Sequence, residues 1–392
     1  MTDQPLHDQA RDLERDLEWD SERDLATGGP RLPVLDLRQL GDPAQAERFT
    51  DELATATRDW GFFYLTGHGI PDALQHRLIE VSRQFFSLPD SSKQQIDKRY
   101  SPQFRGYSRV GEELTRGRRD WREQIDIGPE RPVLTGAELP EWTVLQGPNQ
   151  WPAQPAQFRA VIEQWQQHTE RVARTLLASW LQALGQPPGA LDSAFTEPDV
   201  LLKVVRYPGN PARPGRPAEH GAAADPANAA DPASGAAEAV DRSQGVGAHK
   251  DSGWLTLLFV EPGKGGLQVR HGDAWVDAPP LPGSLIVNIG ELLEWATAGY
   301  LRATVHRVVS EPGTGDRISV PYFFNPAYGA EIPQWQLPEP LAAQARGVED
   351  DPDNRIYSNY GLNALKSRLR SHPEVTAKYH AALADRLSAG VS

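Results

Sequence analysis

Three side chains in the second half of the sequence could share one metal ion. In GVGAHKDSGWLTLLF, His249 and Asp251 stand two residues apart, a spacing that on a strand puts both side chains on one face. Ser252 and Gly253 follow, where the chain can turn and let the two ligands converge. His306 sits in ATVHRVV, which reads as a later strand. Two imidazoles and one carboxylate with open positions beside them form the donor set of a non-haem Fe(II) oxygenase. The His-x-Asp pair alone is weak, because short polar pairs at strand ends are common. Arg317 and Ser319 add to it, since in RISVPYFF they alternate onto one face of the next strand. There a guanidinium holds a carboxylate through paired charge-assisted bonds, and a hydroxyl donates a third. Tyr207 in KVVRYP offers a further donor. The group forms an anchor for the far carboxylate of a dicarboxylate. Taken singly, Arg317 has the plainer reading of an ion pair, with Asp316 for instance, and Ser319 that of a small strand residue.

Composition narrows the chemistry further. The chain has no cysteine, so disulfides, thiolate metal sites and cysteine nucleophiles are excluded and any metal must use His, Asp or Glu. With 40 basic and 53 acidic residues the net charge is −13, which repels a phosphate backbone, so nucleic acid is not an expected partner. No apolar run approaches the roughly 20 residues needed to cross a bilayer. The charged opening MTDQPLHDQARDLERDLEWDSERD lacks the apolar stretch of a secretory signal. A cytoplasmic protein acting on a small molecule is expected, with a monomer compatible with everything in the sequence.

The 392 residues suffice for one large domain or two. Residues 1–29 are polar and acidic and read as a loose leader. Residues 30–190 form a helical and strand region: LPVLDL as a short strand, 43–59 as an amphipathic helix, WGFFYLTGHGIP as a buried strand, and a helix from Pro71 toward Phe86 that stops at Pro89. The longest helical pattern covers 157–185, ended by Gly185 and two prolines. From 191 to 358 the texture changes to short strands, LLKVVRY, GWLTLLFV, GLQVR, AWVDA, SLIVNIG, ATVHRVV and RISVPYFF, the pattern of a β-sandwich or jelly roll. Within it, 209–246 is rich in Ala, Pro, Gly and Asp and cannot bury itself. A mobile insertion is expected, either a lid or a tolerated surface loop. A helical tail occupies 359–392.

These pieces, in their order, resemble the isopenicillin N synthase-like family of Fe(II)/2-oxoglutarate dioxygenases from about Leu32 to about Lys378. The resemblance is carried by LPVLDL, WGFFYLTGHGIP, QFFSLP, FRGYSRVGEE, DWREQIDIG, KVVRYP, GAHKDSGWLTLLF, GGLQVR, WVDAPPLPGSLIVNIGELLEWATAGYLRATVHRVV and RISVPYFFNP. It implies a mainly β fold with flanking α-helices, a double-stranded β-helix of the jelly-roll, cupin-like kind. It also implies that His249, Asp251 and His306 bind Fe(II), and that Arg317 and Ser319, with Tyr207, hold 2-oxoglutarate. Dioxygen would then be used to oxidise a small molecule, with hydroxylation the default outcome and release of succinate and carbon dioxide. Two alternatives remain open: an oxidase like isopenicillin N synthase, in which the Arg/Ser pair binds substrate instead, and a sensor that keeps the pocket without turnover. By the same resemblance Arg105, Tyr107, Arg122, Phe324 and Asn325 line the substrate pocket, although Tyr107 and Phe324 also read as core aromatics and Arg105 and Arg122 as ion pairs. The family often carries Asp and Asn where this chain has Glu291 and Ala298.

Overall fold

The structure is a computed structural model that describes residues 30–136, 138–210, 241–348 and 354–389. The leader expected at 1–29 and most of the insertion expected at 209–246 lie outside the described residues. At the insertion's edges, Asn210 is tied to Thr314 and Ser310, and Gln244 to Val246 already belong to a strand.

Two sheets face each other. The larger has eight strands in the order β1 (Val34–Asp36), β2 (Phe62–Thr66), β12 (Leu285–Ile289), β9 (Leu255–Val260), β14 (Arg317–Asn325), β7 (Asp199–Tyr207), β6 (Glu123–Ile127) and β3 (Gly106–Ser108). Its pairs are antiparallel except β1 with β2. The smaller has four, in the order β11 (Ala274–Asp277), β10 (Leu267–His271), β13 (His306–Val309) and β8 (Gln244–His249). A short hairpin, β4 (Leu114–Thr115) and β5 (Arg118–Arg119), stands apart. This is the expected jelly roll. Strands from the region 30–190, namely β1, β2, β3 and β6, are hydrogen-bonded into the same sheet as those from 191–358.

Strand alternation gives the large sheet two unlike faces. On the outer face Val204, Ile318, Val320, Tyr322 and Phe324 join the principal core. They pack there against α1 (Pro43–Asp59), α2 (Asp72–Phe86) and the long α3 (Phe158–Ala183), which contributes Trp165, Leu176 and Trp180. On the inner face Phe62, Tyr64, Val205, Tyr207, Val260 and Ile286 meet Val246, Leu267, Val269 and Val308 in a second core between the sheets. The helices form where the spacing predicts. Asp42 caps α1 by accepting from the Ala44 amide at 3.0 Å, with Pro43 in the first turn.

The structure adds detail to the reading of the sequence. The helical tail consists of α5 (Tyr360–Ser371), α6 (Pro373–Tyr379) and α7 (Ala381–Ala389), because Pro373 forces the preceding His372 out of helical geometry. The strand read in ATVHRVV shortens to His306–Val309. Strands β3 to β6 were not readable, being short and, in EQIDI, fully buried despite three polar side chains. A further short helix, α4 (Glu291–Ala296), follows β12. No described helix is long and apolar enough to cross a membrane.

Candidate metal centre

His249 ends β8 and His306 opens β13, and the two are direct partners across the antiparallel pair. Their rings lie 4.3 Å apart. Asp251 comes two residues after the strand has ended, not on it, so a turn rather than alternation brings its carboxylate to the histidines. That turn is pinned to the start of α4: the Glu291 amide donates to the Asp251 carbonyl at 2.7 Å and the Leu292 amide to that of Gly253 at 3.1 Å. Close approach requires small residues here, since a Cβ on Gly253 would strike Asn325 and one on Gly290 would strike the Gly253 carbonyl.

Each ligand has one atom tied back and one left facing the site. The Nδ1 of His249 donates to the Gly247 carbonyl at 2.8 Å and that of His306 to Thr304 at 3.1 Å, which leaves both Nε2 lone pairs inward. Asp251 Oδ2 accepts from the Thr256 hydroxyl at 2.6 Å and from the Asn288 amide at 2.8 Å. Its Oδ1 lies 3.6 Å from His249 Nε2 and 3.8 Å from His306 Nε2. All three donor atoms fall within 4.8 Å of one another. Burial would push the Asp251 carboxyl up, but His306, His249 and the Thr256 hydroxyl hold it below the usual carboxylate range. Burial and the neighbouring His249 push His306 down to about 4. Burial also opposes charge on His249, yet the Asp251 carboxylate outweighs it and raises that imidazole. An anionic carboxylate and a neutral imidazole are the forms a divalent metal needs.

Arg317 and Tyr207 are partners across β14 and β7, and Ser319 stands opposite Val205 on the same inner face. All three are buried. The Arg317 guanidinium lies 4.8 Å over the Tyr207 ring, and its Nε and Nη1 are buried with no hydrogen-bond partner. The plain partner, Asp316, is engaged elsewhere, by Arg206 and the Gly209 amide. A buried guanidinium with two orphaned donors calls for an anion. The residues present therefore fit both a three-ligand metal and a carboxylate held beside it.

A cavity of about 850 Å³ opens beside His249 and Asp251. Of the pocket residues expected from the resemblance, Asn325 and Arg122 line it. Asn325 accepts from the Trp254 amide at 2.9 Å, and Arg122 bridges Glu113 at 3.2 Å and Asp120 at 3.1 Å. The other three do not line the cavity. Arg105 is buried beneath Gly128. Tyr107 lies on the outer face and donates to Glu123 at 2.6 Å under Lys93. Phe324 also lies on the outer face, stacked on Phe195 at 5.1 Å. Sequence reading missed Thr256 and Asn288, whose signal was a lone polar residue in the apolar strands LTLLFV and LIVNI. It missed Asp199 and Lys203 as well, which share the inward alternation of Tyr207.

Comparison with known proteins gives the family. Residues 32–154 match the N-terminal region described for the non-haem dioxygenase in morphine synthesis, and residues 227–326 match the 2OG-Fe(II) oxygenase superfamily. The 2-oxoglutarate-dependent dioxygenase frbJ of Dothideomycetidae sp. (strain 11243) is 33% identical over 362 residues, covering 89% of this chain and 91% of that protein. Homoarginine-6-hydroxylase 2-ODD-C23.1 of Arabidopsis thaliana is 31% identical over 319 residues, 79% of this chain and 88% of its own. The structure of Neurospora crassa T7H with alpha-KG and thymine shares the fold, with a TM-score of 0.65 at 23% identity, covering 90% of this chain and 98% of that one. The chain belongs to the 2OG-Fe(II) oxygenase superfamily. It is a non-haem, 2-oxoglutarate-dependent dioxygenase.

Proposed function

We propose that His249, Asp251 and His306 hold the Fe(II), that Arg317 with Ser319 and Tyr207 holds the distal carboxylate of 2-oxoglutarate, and that the chain hydroxylates a small molecule bound in the adjoining cavity. The observation that carries the cosubstrate assignment is the buried Arg317 guanidinium with two unpaired donors. When bound, the iron with 2-oxoglutarate and dioxygen supplies the oxidising chemistry: the oxoacid becomes succinate and carbon dioxide, one oxygen atom ends in succinate and the other in the substrate.

The protein's own part is positional. Gly247 and Thr304 carbonyls fix the ring orientation of both histidines, and Thr256 with Asn288 occupies the oxygen of Asp251 that faces away from the metal. Phe62 sets its ring edge against His306 at 5.1 Å, which keeps water from that side. Arg317 orients the oxoacid by its far end, so the reacting end is presented at the metal. A net charge of −13 disfavours nucleic acid, and a small molecule of the reducing cytoplasm suits a ferrous site. The test is labelled carbon dioxide release from 2-oxoglutarate. It should require iron and vanish in the triple variant His249→Ala, Asp251→Ala, His306→Ala; turnover persisting in that variant would sink the assignment.

A further inference from the structure

We propose that the substrate carries a cationic group, a guanidinium or an ammonium, that docks on Asp199; this rests on the reading of the site given above. Asp199 opens β7 and pairs with Asn325 of β14. Both residues face the cavity. One inward rung back along the same strands lie Leu201 and Phe323, and Phe323 pairs in turn with Thr256, which holds Asp251. Arg317 lies at the opposite end of β14. Asp199 is therefore one step of about 7 Å beyond the metal row, on the side away from the oxoacid anchor.

Contact partners single out Asp199 among the lining carboxylates: Glu291 likewise has no ion pair among the described residues, but both its oxygens accept from the Asn354 amide, at 3.2 and 3.1 Å, and burial pushes its carboxyl up to about 7. The sheltered cations around the cavity are engaged: Lys203 by Glu113 at 2.7 Å, Arg122 by Glu113 and Asp120, Arg368 and the buried Lys98 together by Asp126 at 2.9 and 3.1 Å, Lys250 by Glu294 at 3.1 Å and Lys366 by the Arg355 carbonyl. Arg116 and Arg370 on the rim are exposed, where water and salt screen them. Asp199 is 3% exposed, and among the described residues no Lys, Arg or His reaches within 4 Å of its carboxylate. The Tyr360 hydroxyl donates to Oδ2 at 2.8 Å, while Oδ1 has no partner. Burial and the nearby Asp199 charge push the Tyr360 and Tyr328 phenols up, so both stay protonated around this acid. The Arg368 guanidinium is near enough to feel the Asp199 charge but is bonded to Asp126, so Asp199 has no cation in contact; a buried carboxylate left that way is costly, and a cationic substrate would supply the contact. Glu113 Oε2 and Arg122 Nε, also buried on the lining and without partners, are an acceptor and a donor for the substrate's other polar groups. With its cation on Asp199, the substrate presents to the metal a carbon several bonds away from that charge.

The test is calorimetric binding to the full chain loaded with Mn(II), which replaces iron without turnover. 2-Oxoglutarate is titrated first; if it does not bind, the reading of the metal and oxoacid site fails and the present proposal falls with it. With 2-oxoglutarate bound, L-arginine, agmatine and L-lysine are compared with the neutral L-citrulline and L-norleucine. At least one cationic probe should bind about tenfold or more tightly than its neutral counterpart, the scale of one charge-assisted hydrogen bond. In Asp199→Asn, which keeps the acceptor for Tyr360, that preference should fall to about twofold or less. Equal binding of the neutral probes, no binding by any cationic probe, or an unchanged preference in the Asn variant would each overturn the proposal while leaving the oxoacid site intact. Should the variant fail to fold, the preference of the unmodified protein decides.

Discussion

The two faces of β14 are one residue apart in sequence and have different duties. Arg317, Ser319, Phe323 and Asn325 point inward, the first two as the proposed oxoacid anchor and the others onto the cavity, whereas Ile318, Val320, Tyr322 and Phe324 point outward into the helix-covered core. The outward set is apolar apart from one phenol and fully buried. The inward set carries an unpaired guanidinium, a hydroxyl and an amide. An outer-face residue stabilises by removing apolar area from water; an inner-face polar group costs stability unless a ligand satisfies it. One strand thus divides the work of folding from the work of binding by alternation alone.

Substitutions on the two faces should separate cleanly. Asp251→Ala removes the one anionic ligand and should reduce carbon dioxide release to the level of buffer without protein, with the fold retained by circular dichroism. Phe324→Ala on the outer face should lower stability by about 3–5 kcal/mol in urea unfolding, while the KM for 2-oxoglutarate stays within about twofold in the folded fraction. Arg317→Gln should do the reverse, raising that KM by about 10- to 100-fold, the scale of losing a hydrogen bond to a charged group. It should leave the unfolding free energy unchanged or higher, because an unpaired buried charge is removed. A large loss of stability in Arg317→Gln would break the division. Thr256→Val keeps the shape but removes a donor from Asp251, and metal affinity by competition titration should fall about tenfold. The smallest effect lies outside both faces: Ala298 has a φ of +50°, and Ala298→Asn should gain up to about 1 kcal/mol because Asn tolerates that region better. A shift of about 2 °C in the melting temperature would show it.

Much of this was legible in the sequence where the signal is short-range. Alternation in RISVPYFF places Arg317 with Ser319, and the same rule puts Phe324 on the opposite face from them, although it was read as a pocket residue by resemblance. Tyr107 fails for the same reason, because its pairing in β3 turns it outward toward Glu123. The three candidate ligands were legible as residue types, but the way they converge was not: Asp251 leaves the strand and is carried by a turn fastened to α4, and nothing in HKDSG announces that fastening. The substrate end was the least legible. Glu113, Arg122, Asp199, Lys203, Tyr360 and Arg368 come from four separated stretches of chain, and their meaning lies in which cation matches which acid. Such matching depends on three-dimensional neighbours rather than on spacing. The broken tail, by contrast, was written plainly in His372-Pro373.

The most direct test of the account is a crystal structure of the protein with Mn(II) and 2-oxoglutarate. The account predicts one metal ion about 2.0–2.3 Å from His249 Nε2, His306 Nε2 and Asp251 Oδ1, with the far carboxylate of the oxoacid on the Arg317 guanidinium. A metal bound elsewhere, or an oxoacid whose far carboxylate leaves Arg317 unpaired, would contradict it.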